Sequence, residues 1–166
     1  MSPSADPSTW KLPRIRIDAD GVWFHEDEEV THPRILAELR EGLRADGDGY
    51  YLLAGPVRVP VEVADTPFVV VRVEPEGADL ALVLNDLSRE ILTPETLRFG
   101  ARGAPYCRVK DGRFEARMSR AAAYQLLQHV EAGASPPSLV LGERRYPLTG
   151  LDAEGRSGES GGRAPA

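Results

Sequence analysis

The feature that most limits the fold is a pattern written twice along the chain. "RIRIDADGVWFHE" (14–26) alternates apolar and polar residues on either side of Asp20-Gly21, and a helical period follows from Thr31. "PYCRVKDGRFEARMS" (105–119) repeats the arrangement around Asp111-Gly112, with a second helical period after Ser119. Asp and Gly tolerate the positive φ of a tight turn, so each stretch predicts a β-hairpin. Thr31 or His32 can cap the first helix, and Pro33 suits its first turn, where the missing N–H costs nothing. In this helix Ile35, Leu36, Leu39 and Leu43 share a face, and "DGDG" (46–49) stops it. The second helix, predicted over 119–133, has Ser119 as cap, Ala123, Leu127 and Val130 on its inner face, and Gly133 at its end. "LAGPVRVPV" (53–61) and "LGERRYPL" (141–148) extend the correspondence. The order strand, turn, strand, helix, strand recurs at a spacing of about 90 residues and reads as a structural repeat. A lone hairpin cannot bury its own face, so each unit is expected to lay its helix across it.

Between these stretches lie short β-rich runs, "PFVVVRVE" (67–74) and "ADLALVLN" (78–85), forming a hairpin around "PEG". The expected fold is therefore α+β. It has two tandem small units, each a β-hairpin plus helix followed by further short antiparallel strands. The units are placed at residues 14–92 and 93–150. A flexible N-terminal segment (1–13), in which Trp10 is the residue able to dock, precedes them. A Gly/Ser-rich tail (151–166) too poor in large apolar side chains to offset chain entropy follows. About 140 foldable residues suffice for one ordinary core or two small ones.

Composition narrows function more by exclusion than by assignment. Net charge is −6, the basic residues are scattered, and only Lys11 and Lys110 are lysines. No basic run or aromatic-basic stripe points to nucleic acid. The longest apolar run, "FVVV" (68–71), is far too short to cross a bilayer. The start carries no signal-like segment, and the expected location is cytoplasmic. The one cysteine, Cys107, excludes an internal disulfide and reads as a small core residue in a strand.

Each candidate chemistry weakens when counted out. "IDADGVWFHEDEE" (17–29) holds acids at some EF-hand spacings, but Val22 and Trp23 stand where a ligand and the glycine are needed. Asp18, Asp20 and Gly21 then read as turn chemistry. The three histidines, His25, His32 and His129, form no metal-binding spacing. There is no nucleophile elbow and no Gly-rich phosphate cradle. No catalytic residue, metal site or cofactor is assigned. Two constellations remain as ligand- or partner-binding candidates: Trp23, Phe24, His25 and Glu26 in the first hairpin, and Asp65 to Phe68 in "VADTPF". Trp23 and Phe24 are neighbours in a strand and must face opposite ways. One of them is core.

These stretches also carry a resemblance. Asp20-Gly21-Val22-Trp23-Phe24-His25-Glu26, Asp65-Thr66-Pro67-Phe68 and the segment Pro105–Gly112 with its following helix resemble the bacterial family catalogued as domain of unknown function 1285. The match runs from Ile15 to Leu148. The resemblance implies a two-part α+β fold with repeated motifs and a role in signalling or regulation. It implies no established reaction, cofactor or catalytic residue. The family pattern carries a glycine and then Pro-Ile after W-F-H-E, whereas this chain has Asp27-Glu28-Glu29-Val30. It also lacks the Glu-Lys expected near Val57-Arg58.

The expected function is a non-catalytic regulatory module that binds a small ligand or protein partner at the seam between its units, since ligands favour domain junctions. Trp23, His25, Glu26, Asp65 and Phe68 are the expected contacts. One alternative is an enzyme, a hydrolase for example, using His25 with Asp65 or Glu26. Another is a homo-oligomeric structural protein pairing through a β-edge. The identity of the partner and the oligomeric state stay open at this level.

Overall fold

The computed structural model describes residues 12–100, 103–131, 133 and 137–148. The segment up to residue 11, Trp10 included, and the tail at 151–166 lie outside them. The chain divides into two compact units, Met1–Pro67 and Phe68–Ala166. This division falls after Pro67, whereas the sequence reading places a boundary after residue 92. The strands of the hairpin at 67–85 pair within the second sheet.

The N-terminal unit contains β1 (Ile15–Ile17), β2 (Trp23–His25), β3 (Glu28–Glu29), α1 (Pro33–Gly42), β4 (Arg44–Asp46), β5 (Gly49–Ala54) and β6 (Val57–Val63). Its sheet order is β3-β2-β1-β6-β5-β4. Two antiparallel meanders meet at a central parallel pair, with Ile15 opposite Val61 and Ile17 opposite Val63. Side chains alternate across a strand, so Ile15, Ile17, Trp23, Val59 and Val61 line one face and are all buried. The other face is amphipathic. There the Arg16 guanidinium lies 4.1 Å over the Phe24 ring, and that of Arg58 lies 3.6 Å over Tyr51. Trp23 is thus the core residue of the aromatic pair and Phe24 the outer one.

Local chemistry explains the connections. Asp18 Oδ1 accepts from the backbone N–H groups of Asp20 (2.9 Å) and Val22 (3.0 Å), and Gly21 adopts φ 83°. Asp18 is therefore spent on folding the turn back on itself, the Asx device expected of it. At α1, His32 Nδ1 accepts from Arg34 N–H at 3.2 Å. The helix ends at Gly42, before "ADGDG", which forms the β4–β5 hairpin. The stop expected at "DGDG" (46–49) thus comes a few residues earlier in the chain. Leu43, just past the end, is the deeply buried anchor, while no residue within α1 itself is buried.

The second unit contains β7 (Phe68–Glu76), β8 (Asp79–Leu84), β9 (Arg89–Ile91), a 3-10 turn (Pro94–Thr96), β10 (Arg98–Phe99), β11 (Pro105–Val109), β12 (Phe114–Met118), α2 (Arg120–Leu127), β13 (Val130–Glu131), β14 (Ser138–Leu141) and β15 (Arg144–Pro147). Its main sheet runs β10-β11-β12-β7-β8-β9, again with the parallel pair, β12 and β7, at the centre. Numbered from its own first strand, each sheet has the same order, 3-2-1-6-5-4, and this likeness suggests a tandem repeat. The matching differs from the sequence reading. Asp111-Gly112 joins the fifth and sixth strands of its sheet, whereas Asp20-Gly21 joins the first and second. The helices are not equivalent either: α1 lies between the third and fourth strands of its sheet, and α2 follows the sixth.

In α2 the buried residues are Ala122 and Leu126, one position ahead of the expected Ala123 and Leu127. Ser119 caps it as expected, its Oγ accepting from Ala122 N–H at 3.1 Å. The helix stops at Leu127, because Val130 and Glu131 pair with β14. Two prolines sit inside central strands without breaking them. The parallel pairing begins at Val61 in β6 and ends at Val70 in β7. Pro60 and Pro75 therefore lie where their strand has one neighbour, the edge-like position that tolerates a missing N–H.

Candidate functional site

Four of the five expected contact residues lie in the N-terminal unit and Phe68 opens the second. Trp23 is 1% exposed in the core of the N-terminal unit, and Phe68 is 2% exposed in the core of the second. Phe68 packs against Phe114 with ring centroids 5.5 Å apart. Both serve packing. His25 and Glu26 are exposed at the end of β2. Glu26 takes φ 55°, and its carboxylate accepts from Arg14 N–H at 3.0 Å, so it closes the strand end. His25 stands opposite Ile15, whereas Asp65 follows the Ile17 end of the sheet, beyond Val63. The two groups needed for acid–base chemistry thus leave opposite ends of β1. Among the described residues, no group of three or more His, Cys, Asp or Glu side chains is placed to hold a metal ion.

The N-terminal unit does contain a cavity, of about 330 Å³. Its floor is the buried sheet face at Ile15, Leu52 and Val59, and α1 forms its wall through Ile35, Leu39 and Gly42. The cause is the light packing of α1. The helix is tethered by its cap and by Leu43, and it buries none of its own side chains. Ile35 is left 47% exposed and Leu53 55% exposed at the groove. Gly42 keeps its wall low, since a Cβ there would reach only ordinary contact with Leu52 at 3.6 Å. Glu38 is the one ionisable side chain among the described lining residues. The apolar stripe of α1 was visible in the sequence as a core face. Only the register of the helix over the sheet shows that the described residues leave part of the stripe uncovered.

A polar cluster in the second unit has a different role. Lys110 Nζ donates to Asp86 Oδ2 at 2.7 Å and to Ser88 Oγ at 3.0 Å. Its backbone N–H donates to the Glu90 carboxylate at 3.1 Å and 3.2 Å. The Asp86 and Lys110 side chains are 15% and 22% exposed. Burial alone would push the Asp86 carboxyl up, but the hydrogen bonds from Lys110 and Ser88 and the lysine charge outweigh it and hold it below its ordinary value. This clip ties the β11–β12 turn to the loop before β9. Lys110→Met is expected to cost about 2 kcal/mol at pH 7, because it leaves a largely buried carboxylate without its cation. A carboxyl held low in the folded chain contributes stability above its unfolded pKa and loses it as pH falls through the folded one. Denaturant titrations should therefore show the gap between wild type and variant narrowing below the ordinary aspartate value of 3.8. A gap that persists undiminished in acid would contradict the clip. Cys107 is buried, and desolvation pushes its thiol up to about 12. A thiol so placed is not a nucleophile at neutral pH.

The arrangement defines a class first: an α+β protein built on two six-stranded mixed sheets of the same order. Residues 4–66 match the family model described as "Domain of unknown function (DUF1285), N-terminal domain". The N-terminal unit thus matches the N-terminal domain of the DUF1285 family, the likeness carried by its W-F-H-E segment. A solved DUF1285 family protein from Silicibacter pomeroyi DSS-3 is 26% identical, with TM-score 0.69, covering 90% of this chain and 89% of that one. A second, from Shewanella baltica OS155, shares the fold at 21% identity and TM-score 0.58, covering 70% of this chain and 92% of its own. No curated protein matches the chain. No helix among the described residues is long and apolar enough to cross a membrane.

Proposed function

We propose that the chain is a non-catalytic regulatory module that holds a small, largely apolar ligand in the groove between α1 and its sheet. The observation that carries this reading is the groove itself. Its volume of about 330 Å³ falls within the range of small-molecule sites. Apolar surface left open on an otherwise well-packed unit marks a place where burial on binding is favourable. His25 and Asp65 leave opposite ends of β1, which supports a binding reading over a hydrolytic one built on that pair.

Gly42→Leu supplies the test. The first carbon of the added side chain meets only ordinary contact, 3.6 Å from Leu52, on the wall of the groove. The substitution also improves helix propensity. Calorimetry with 1-octanol as probe should show saturable binding to the full-length protein, weakened at least tenfold in the variant. Binding unchanged by the variant, or no saturable binding to wild type, would overturn the groove as the site.

A further inference from the structure

We infer that the ligand of this groove is a cationic amphiphile, an alkyl or aryl body bearing a protonated amine, with the body on Ile15, Leu39 and Leu52 and the cation at Glu38. The inference rests on the groove reading above and adds the chemistry of the head group. Every lining residue among those described is without charge except Glu38, which is exposed on α1. Glu38 takes part in none of the ion pairs found among the described residues of this unit, which join Arg14 to Asp27 and Glu62 and Arg58 to Asp46. Arg34 stands one helical turn before it. That order, cation N-terminal to anion, is the weaker one for an i,i+4 pair. A carboxylate at the edge of an apolar groove attracts an ammonium by charge, repels a carboxylate, and offers an alcohol only a hydrogen bond. The net charge of −6 biases approach the same way.

The experiment is calorimetry on the full-length protein at pH 7 with three homologous series: hexyl-, heptyl- and octylammonium, the matching 1-alkanols, and the matching alkanoates. Each added methylene is expected to tighten binding about fourfold while the chain fits the groove. The ammonium should bind about threefold to fivefold tighter than the alcohol of equal length, a margin that shrinks at high salt. The alkanoate should bind weakest. Glu38→Gln lies on the exposed side of a helix, and it should erase the ammonium preference while keeping the methylene increments. Equal affinity for all three head groups would overturn the cationic assignment and leave the groove standing. Absence of binding in all three series would overturn both.

Discussion

Trp23→Ala is expected to lower the stability of the protein by about 3–5 kcal/mol, the usual range for deleting a fully buried tryptophan. Trp23 lies opposite Ile17 on the buried face, and only 1% of it is exposed. The indole fills the buried face of the N-terminal sheet at β2, one strand from the central parallel pair. Its Nε1 finds no hydrogen-bond partner among the described residues. The tryptophan is therefore there for its volume, and its N–H subtracts from what the volume contributes. Trp23→Phe should accordingly cost well under half as much as the alanine variant. Urea denaturation followed by far-UV circular dichroism measures both. An alanine variant as stable as wild type but defective in ligand binding would return Trp23 to the role of a contact residue.

Phe68→Ala should have an effect of the same size, about 3–5 kcal/mol, in the second unit. Phe68 opens β7 opposite Ala116 of β12, where the central parallel pair begins. Its ring packs on Phe114 at 52° and lies 5.1 Å from the Lys110 ammonium. Removing it empties the contact that aligns β7 with β12 and takes the aromatic face from beneath the Lys110 clip. Phe68→Leu keeps most of the volume and should cost about 1–1.5 kcal/mol. Loss of protection from hydrogen exchange in β7 and β12, on the far side of the chain division from Trp23, would locate the damage. A Phe68→Ala protein with unaltered exchange in both strands would contradict this placement.

The sequence was informative wherever a cause was local. Asp18 and Gly21 announced their turn, His32 and Ser119 their caps, and alternation announced β1, β11 and β12. The α+β class and the family likeness followed from the same short segments. What was missed depends on partners distant in the chain. The run 67–85 looks the same whether it closes the first unit or opens the second, and only its pairing with β12 decides. Asp-Gly turns mark hairpins but carry no information on which hairpin in a meander they close, so the repeat was matched out of phase. The buried face of α2 is set by its contact with β7, and that contact rotates it one residue from the face chosen by periodicity. Two of the binding candidates, Trp23 and Phe68, are buried for a related reason. A tryptophan and a phenylalanine in family-like segments look like contacts, and burial identifies them as cores. The groove was hidden because an apolar helical stripe reads as buried by default. Glu38 beside it carries no pattern at all.

The central claim is that binding occurs on α1 and the sheet beneath it. It is tested most directly by chemical-shift mapping of the full-length protein titrated with 1-octanol. The account predicts saturable shifts at Ile15, Ile35, Leu39, Leu52 and Val59, with Phe68 unmoved and no response at His25 or Asp65. Shifts centred on His25, Glu26 or Asp65, or none that saturate, would contradict it.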